Sequence, residues 1–96
     1  MTNRIQKINE LIKRELGEII VREMNFSRNI LVTIIKVETS VDLSLTKVYI
    51  SVIPWEKTDE IIKNLKGNIY ELQQLLNKRL NMHPVPKIKF LKDLQY

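Results

Sequence analysis

The side chains of this chain that could do chemistry are mostly cationic. Sixteen lysines and arginines oppose eleven aspartates and glutamates, which gives a formal charge of +5. An excess of this sign favours polyanionic partners such as nucleic acid, although ordinary solubility also requires a charged surface. Arg4 and Lys7 precede the first acidic residue, whereas Lys13 and Arg14 are interleaved with glutamates. The amino-terminal pair is therefore the better candidate for contacts with phosphates.

Catalytic and metal-binding side chains are sparse. His83 is the only histidine, and the chain has no cysteine, which excludes disulfides and thiolate metal ligands. Asp42 and Asp93 belong to no carboxylate pair of recognisable spacing. The first explanation of both residues is hydrogen bonding of the side chain to the local backbone. We predict that the protein is not an enzyme, that it holds no metal or cofactor, and that it takes no small-molecule substrate.

Aromatic rings offer a second route to nucleic acid, because bases stack on them. Trp55 follows Pro54 at the end of an apolar run, where a lone tryptophan more often covers the core, and we favour that position. Tyr49 and Tyr70 stay undecided between packing and stacking.

These side chains must be positioned by one small domain, because 96 residues suffice for a single core. Residues 31–52 form the most regular pattern, two β-rich runs around a polar turn at residues 40–44. In the second run, Thr46 and every second residue up to Val52 are expected to face the core. The same alternation predicts these core residues in the first run: Leu31, Thr33, Ile35 and Val37.

Apolar residues at three- and four-residue steps predict two helical stretches that cover the hairpin. The first runs from about Asn3 to Met24, with Thr2 or Asn3 as its cap and with Gly17 as a weak point or a place of close packing. The second starts at a Thr58 cap, and the poor helix formers at residues 66–68 predict a kink within it. An uninterrupted helix is the alternative.

Residues 86–91 alternate as a third strand, with Ile88 and Phe90 facing inward. Pro84 and Pro86 remove backbone donors at its start, so we expect an edge position. The resulting order, α-β-β-α-kink-α-β, is that of an α+β type II KH-like domain, in which helices cover one face of a three-stranded sheet.

The residues also carry a resemblance to the bacterial ribosome-binding factor A family over residues 1–96, as a single domain. The family's hairpin signature reads valine-threonine, valine-x-x-serine-proline-aspartate-leucine-serine, then lysine-valine-tyrosine-valine-serine-valine. The chain matches it at residues 32–33, 37–44 and 47–52, with Val41 in place of the proline. A second block, valine-proline-x-leucine-x-phenylalanine-x-x-aspartate, is similar to residues 85–93. The resemblance implies an assembly factor that binds the small ribosomal subunit, assists processing of its ribosomal RNA and contributes to cold adaptation. A cytoplasmic location is the default expectation, because the sequence has no cysteine and no apolar run that approaches a membrane span.

The sequence departs from the family pattern near the kink. The family replaces the KH GxxG loop by alanine-x-glycine, which an ungapped alignment places at residues 68–70, whereas Gly67 lies one residue earlier. Both placements stay open, and we take Gly67 and Asn68 as the kink. A family arginine appears here as Gln73, which removes one expected phosphate contact. No counterpart of the flexible carboxyl-terminal tail of many relatives is expected after Asp93.

Without a GxxG loop, a KH-like domain loses its usual clamp on single-stranded backbone, so contacts with the phosphates and shape of folded RNA take over. The candidate RNA-binding residues are Arg4, Lys7, Lys63, Lys66, Asn68, Lys78, Arg79, Lys87 and Lys89. We expect a monomer that touches no membrane. One alternative is a salt-insensitive protein-interaction or dimerisation module, which the long isoleucine- and leucine-rich helical stripes favour. A general binder of single-stranded RNA is another.

Overall fold

The protein folds into a layer of helices on one face of a three-stranded sheet. This computed structural model describes residues 3–93. Its elements are α1 (Arg4–Glu23), β1 (Leu31–Thr39), β2 (Leu45–Ile53), a 3-10 turn (Trp55–Lys57), α2 (Thr58–Gly67), α3 (Ile69–Arg79) and β3 (Lys87–Lys92). Strand β2 is central, antiparallel to β1 and parallel to β3. The predicted α+β fold and its element order are confirmed.

Helix α1 begins where its cap is satisfied. The side-chain Oδ1 of Asn3 accepts a hydrogen bond of 2.8 Å from the backbone N–H of Gln6, which satisfies one of the free donors of the first turn. Thr2, the other predicted cap, lies outside the described residues. An added Cβ at Gly17 would meet nothing within 4 Å, so the close packing considered for this glycine is wrong.

Strand β2 alternates as predicted, with Thr46, Val48, Ile50 and Val52 buried. The prediction for β1 is wrong over most of its length.

The cause is a β-bulge at Ile35, because Ile34 pairs with Ile50 whereas Lys36 pairs with Tyr49. One extra residue reverses the alternation before it. Val32 and Ile34 therefore pack against the core, and Leu31, Thr33 and Ile35 are exposed. Val37, which follows the bulge, is buried as predicted.

The turn between β1 and β2 is a closed network of hydrogen bonds centred on Asp42. Its Oδ1 accepts from the hydroxyls of Ser40 and Ser44 at 2.7 and 2.8 Å, and from the Ser44 N–H at 3.1 Å. The Ser40 hydroxyl oxygen in turn accepts from the N–H groups of Ser44 and Leu45. These bonds hold Leu43 at a φ of 62°, in the left-handed region that residues other than glycine seldom adopt.

The helical region after β2 starts differently from the prediction. Thr58 is the first residue of α2 and not its cap, and its hydroxyl donates back to the Trp55 carbonyl at 2.6 Å. The predicted cap is wrong because the 3-10 turn precedes the helix and already takes Thr58 into helical geometry.

The break between α2 and α3 lies at Asn68. In a regular α-helix the Asn68 N–H would donate to the carbonyl of Asn64, four residues earlier. Here it donates to the Leu65 carbonyl at 3.1 Å. The carbonyl of Asn64, which this change leaves free, accepts instead from the Asn68 side-chain Nδ2 at 2.9 Å. Gly67 has no positive φ, so the break does not depend on the conformational freedom of glycine. On the α3 side, the Asn68 carbonyl accepts from the Leu72 N–H at 3.0 Å. One asparagine therefore hydrogen-bonds to the backbone on both sides of the kink.

The core lies between the two layers and uses the apolar stripes of all three helices. Ile12 and Leu16 of α1, Leu65 of α2 and Leu76 of α3 are fully buried together with Phe90 of β3. Because folding already covers these stripes, they offer no free apolar face to a second protein. The isoleucine- and leucine-rich stripes, which favoured an interaction module in the sequence, are explained by burial in the core.

Strand β3 lies at an edge of the sheet, as predicted, with Ile88 and Phe90 inward. The side chain of Gln73 on α3 holds its outer edge. The Gln73 Nε2 donates to Pro86 O at 3.1 Å, and its Oε1 accepts from the N–H of Ile88 at 2.9 Å. One amide group thus pairs the β3 backbone as a neighbouring strand would.

Candidate nucleic-acid interface

The candidate RNA-binding cations divide between two sides of the molecule. Lys63 and Lys66 on α2 and Lys78 on α3 are exposed on the helical layer. Lys87 and Lys89 alternate with the buried Ile88 and Phe90 and so lie on the opposite, open face of the sheet. The two groups cannot meet one flat RNA surface together.

Arg4 and Lys7 lie on the exposed side of the first turns of α1. Asn9, further along the helix, accepts a 2.6 Å hydrogen bond from the Thr39 hydroxyl at the end of β1. The first half of the helix therefore lies beside the end of β1 that leads into the β1–β2 turn.

Arg79 is engaged inside the protein. Its Nη1 lies 3.0 Å from Glu15 Oε1 and 2.8 Å from Glu18 Oε1, which ties the end of α3 to the middle of α1. The hydrogen bond from Arg79 lowers the pKa of the Glu15 carboxyl, and the two glutamates, Glu18 first, raise the pKa of Arg79. A guanidinium with two carboxylate partners is a poor candidate for an RNA contact, because those bonds would have to be exchanged.

Asn68 is also occupied, since its side-chain amide donates to the Asn64 carbonyl and to Asn64 Oδ1. Its role in the structure is to support the helical break.

The open face of the sheet carries two lysines absent from the sequence-based set. Lys36 of β1 and Lys47 of β2 point to the same side as Lys87 and Lys89 of β3. The signal was present in the alternation of β2, which puts Lys47 on the polar side. What the sequence could not supply was the register that brings Lys47 beside Lys89.

The aromatic residues differ from one another in surroundings. Trp55 is 75% exposed, so the prediction that it covers the core is wrong. It lies in the 3-10 turn after β2, where the chain has already left the sheet. Tyr70 is 74% exposed on α3. Tyr49 is half-buried, its hydroxyl donates to Glu38 at 3.2 Å, and the Lys36 ammonium lies 4.9 Å from its ring centroid.

Groups suited to catalysis do not assemble in the part of the chain that the structure describes. His83 is exposed in the loop before β3, and Asp42 is taken up by its own turn. No group of three or more acidic, histidine or cysteine side chains within residues 3–93 is placed to hold a metal ion. None of the helices in this range has both the length and the apolar character needed to cross a membrane.

Fold and surface together define a small KH-like α+β domain that has no GxxG loop and presents exposed lysines on both layers. The chain belongs to the ribosome-binding factor A family, whose model it matches over residues 4–96. It is similar to ribosome-binding factor A of Flavobacterium psychrophilum, with 35% identity over 96 residues that cover 96% of this chain and 74% of the relative. The Burkholderia cenocepacia protein of the same name is 38% identical over 93 residues, which cover 95% and 68%.

Solved structures of the family share this fold. The crystal structure of ribosome-binding factor A from Thermus thermophilus superposes with a TM-score of 0.81 at 23% identity and covers 94% of this chain and 97% of that one. A homology model of the Thermus thermophilus protein, fitted into a cryo-electron microscopy map of its complex with the 30S subunit, has a TM-score of 0.71 at 26% identity. It covers 86% of this chain and 88% of that one.

Proposed function

We propose that this protein is a ribosome assembly factor that binds the small ribosomal subunit and assists late maturation of its ribosomal RNA. The observation that carries the proposal is the family match over residues 4–96. The likeness to the Thermus thermophilus relative fitted into a 30S complex supports the choice of partner. Such a factor would act in the cytoplasm, without catalysing a reaction itself.

The mode of binding follows from the surface. A chain without a GxxG loop has no backbone clamp for single strands, whereas exposed lysines can neutralise the phosphates of folded RNA. Lys63, Lys66, Lys78, Lys87 and Lys89 have no ion-pair partner among residues 3–93. Contacts of this kind hold RNA by position and charge. They suit a factor that stabilises one arrangement of RNA helices and then leaves.

Co-sedimentation with purified small subunits and their precursors tests the proposal. If about six phosphates are contacted, affinity should fall by roughly three decades between about 50 and 200 mM salt. Large subunits and an unstructured RNA oligonucleotide serve as controls. Failure to co-sediment with small subunits or precursors at low salt would contradict the proposal. Equal affinity for the unstructured oligonucleotide would favour a general single-strand binder instead.

A further inference from the structure

The positive charge of the molecule is concentrated on the open face of the sheet. That face presents four lysines and a single glutamate, a formal excess of three out of the chain's +5. Residues 58–79, which hold the kinked helices, carry four cations against three acidic side chains. Helix α1 carries five cations against four glutamates. The helical layer therefore carries a formal excess of two spread over three helices, and its cations have carboxylates on the same elements.

One part of the open face is already neutralised within the protein. Lys36 Nζ lies 3.3 Å from Glu38 Oε2 and over the ring of Tyr49, and the Tyr49 hydroxyl donates to Glu38 Oε1. This triad satisfies its own charges and fixes the ring of Tyr49, which leaves no free stacking surface on that side of the ring.

The remaining three lysines form no ion pair, although Glu38 of β1 is the register neighbour of Lys47. Lys47 is the register neighbour of Lys89, and Lys87 lies two residues before Lys89 on the same side of β3. Adjacent strands are separated by about 5 Å, and alternate residues of a strand by about 7 Å. None of the three forms an ion pair with any residue between Asn3 and Asp93. The three lysines are therefore neighbours on the open face of the sheet and form one cationic cluster there.

Like charges placed side by side across a sheet destabilise it. A polyanion that lies across the sheet would remove this repulsion and release its own counterions at the same time. The wide, shallow minor groove of an A-form RNA helix, with phosphates along its rims, has a shape that a flat sheet can approach.

We propose that the open sheet face, through Lys47, Lys87 and Lys89, is the surface that binds the phosphate backbone of a structured ribosomal RNA helix. This inference rests on the proposed function and locates its contact on the sheet instead of on the kinked helices. The helical lysines then contribute long-range attraction but not the main contacts.

The test compares three triple variants that each remove three positive charges. The sheet variant carries Lys47→Gln, Lys87→Gln and Lys89→Gln. The helix variant carries Lys63→Gln, Lys66→Gln and Lys78→Gln. A charge-matched control carries Arg28→Gln, Lys57→Gln and Lys92→Gln, three exposed positions that belong to neither lysine set. Lys57 and Lys92 form ion pairs with Glu60 and Asp59, so this control also removes two such pairs. All nine side chains are exposed, and circular dichroism with thermal melting verifies that each variant folds.

Binding to small subunits is measured for all proteins over a salt series. For the sheet variant we expect the log–log salt slope to fall in magnitude by about two to three. Its loss of affinity between about 50 and 200 mM salt should then be roughly 16- to 64-fold smaller than that of the wild type. The helix variant and the control should each change the slope by less than about one.

Other outcomes overturn the inference. If the helix variant loses the salt dependence and the sheet variant behaves like the control, the contact lies on the helices and the proposed function stands. If the salt slope falls by the same amount in all three variants, binding depends only on the net charge of the protein and not on the sheet face. If the sheet variant binds normally but self-associates, the lysines protect the β3 edge from pairing with other strands. If the wild type itself does not bind small subunits, the proposed function fails.

Discussion

The hydrogen bonds of Asp42 show that its role is to hold the β1–β2 turn together. The sequence predicted a turn residue, and the structure shows the carboxylate accepting from two serine hydroxyls and one backbone N–H. The bonds from Ser40 and Ser44 lower the pKa of Asp42, because they favour the ionised form. The stabilisation from this group is therefore present above a pH of about 4 and is lost as the pH falls through the lower folded-state pKa.

The Asp42→Asn variant tests this linkage. An amide keeps an acceptor oxygen but carries no charge, so we expect the variant to be less stable than the wild type at pH 7. The difference should shrink as the pH falls below about 4 and through the lowered folded-state pKa, where the wild-type carboxyl becomes protonated. Urea unfolding of both proteins across this range measures it, and comparing them cancels the contribution of other carboxyls such as Glu15. A difference that does not vary with pH would refute the assignment.

Trp55 is the residue for which the sequence pattern was most misleading. A single tryptophan beside a strand usually covers the core, but the chain turns away at Pro54 before the ring can fold back. We expect the fluorescence maximum of the native protein to lie close to that of free tryptophan in water. Trp55→Ala should change the free energy of unfolding by less than about 1 kcal/mol, because little area is lost. A blue-shifted maximum and a cost of about 3 kcal/mol or more would indicate a buried ring.

At the scale of elements, Gln73 shows how a substitution can change the role of a position. The resemblance implied an arginine that contacts phosphate, and here the position connects α3 to the start of β3 through two backbone hydrogen bonds. Arginine cannot reproduce both, since it has no acceptor for the Ile88 N–H. We expect Gln73→Arg to lower the free energy of unfolding by about 1–3 kcal/mol, the cost of a backbone donor left unsatisfied.

Gln74 supplies the matched control for this substitution, because it is adjacent in sequence but exposed on α3. Gln74→Arg adds the same charge and should shift stability by no more than about 0.5 kcal/mol. Chemical denaturation of both variants gives the comparison. Equal stability of the two would mean that the β3 edge does not depend on the glutamine.

The elements also show where sequence reasoning reaches its limit. Helical periodicity predicted α1 to within a residue at either end, because a buried stripe recurs in it without interruption. In β1, however, the bulge at Ile35 reversed the faces of the residues before it. Nothing local marks such a bulge in a run of β-branched residues. The carbonyl of Ile35 accepts from Lys13 on α1 at 3.4 Å, so part of its support comes from a helix distant in sequence.

At the scale of the molecule, the sequence predicted the amount of charge but not its distribution. Lys87 and Lys89 were grouped with lysines of the helices because they follow α3 in the chain. The parallel pairing of β3 with β2 instead puts them on the far side of the sheet, beside Lys47. Which layer a lysine lies on depends on how the strands pair in the folded protein, and the positions of basic residues in the sequence do not reveal that pairing. The fold was therefore easier to predict than the interface.

The monomeric state is a property of the whole molecule that we expect from its two sheet edges. Exposed strand edges invite pairing with another chain. Here the β1 edge is interrupted by the bulge at Ile35, and the β3 edge is bonded to Gln73 at its start. The largest apolar groups outside the core are scattered, with Leu31 and Ile53 forming one cross-strand pair.

We therefore expect sedimentation equilibrium to give a monomer over a wide range of concentrations, at both low and high salt. Gln73→Leu, which frees the β3 edge without adding charge, should raise the tendency to associate. A wild-type dimer that persists in high salt and after nuclease treatment would contradict this reasoning. It would also favour the interaction module over the RNA-binding factor, because a surface consumed by dimerisation would no longer be open to ribosomal RNA.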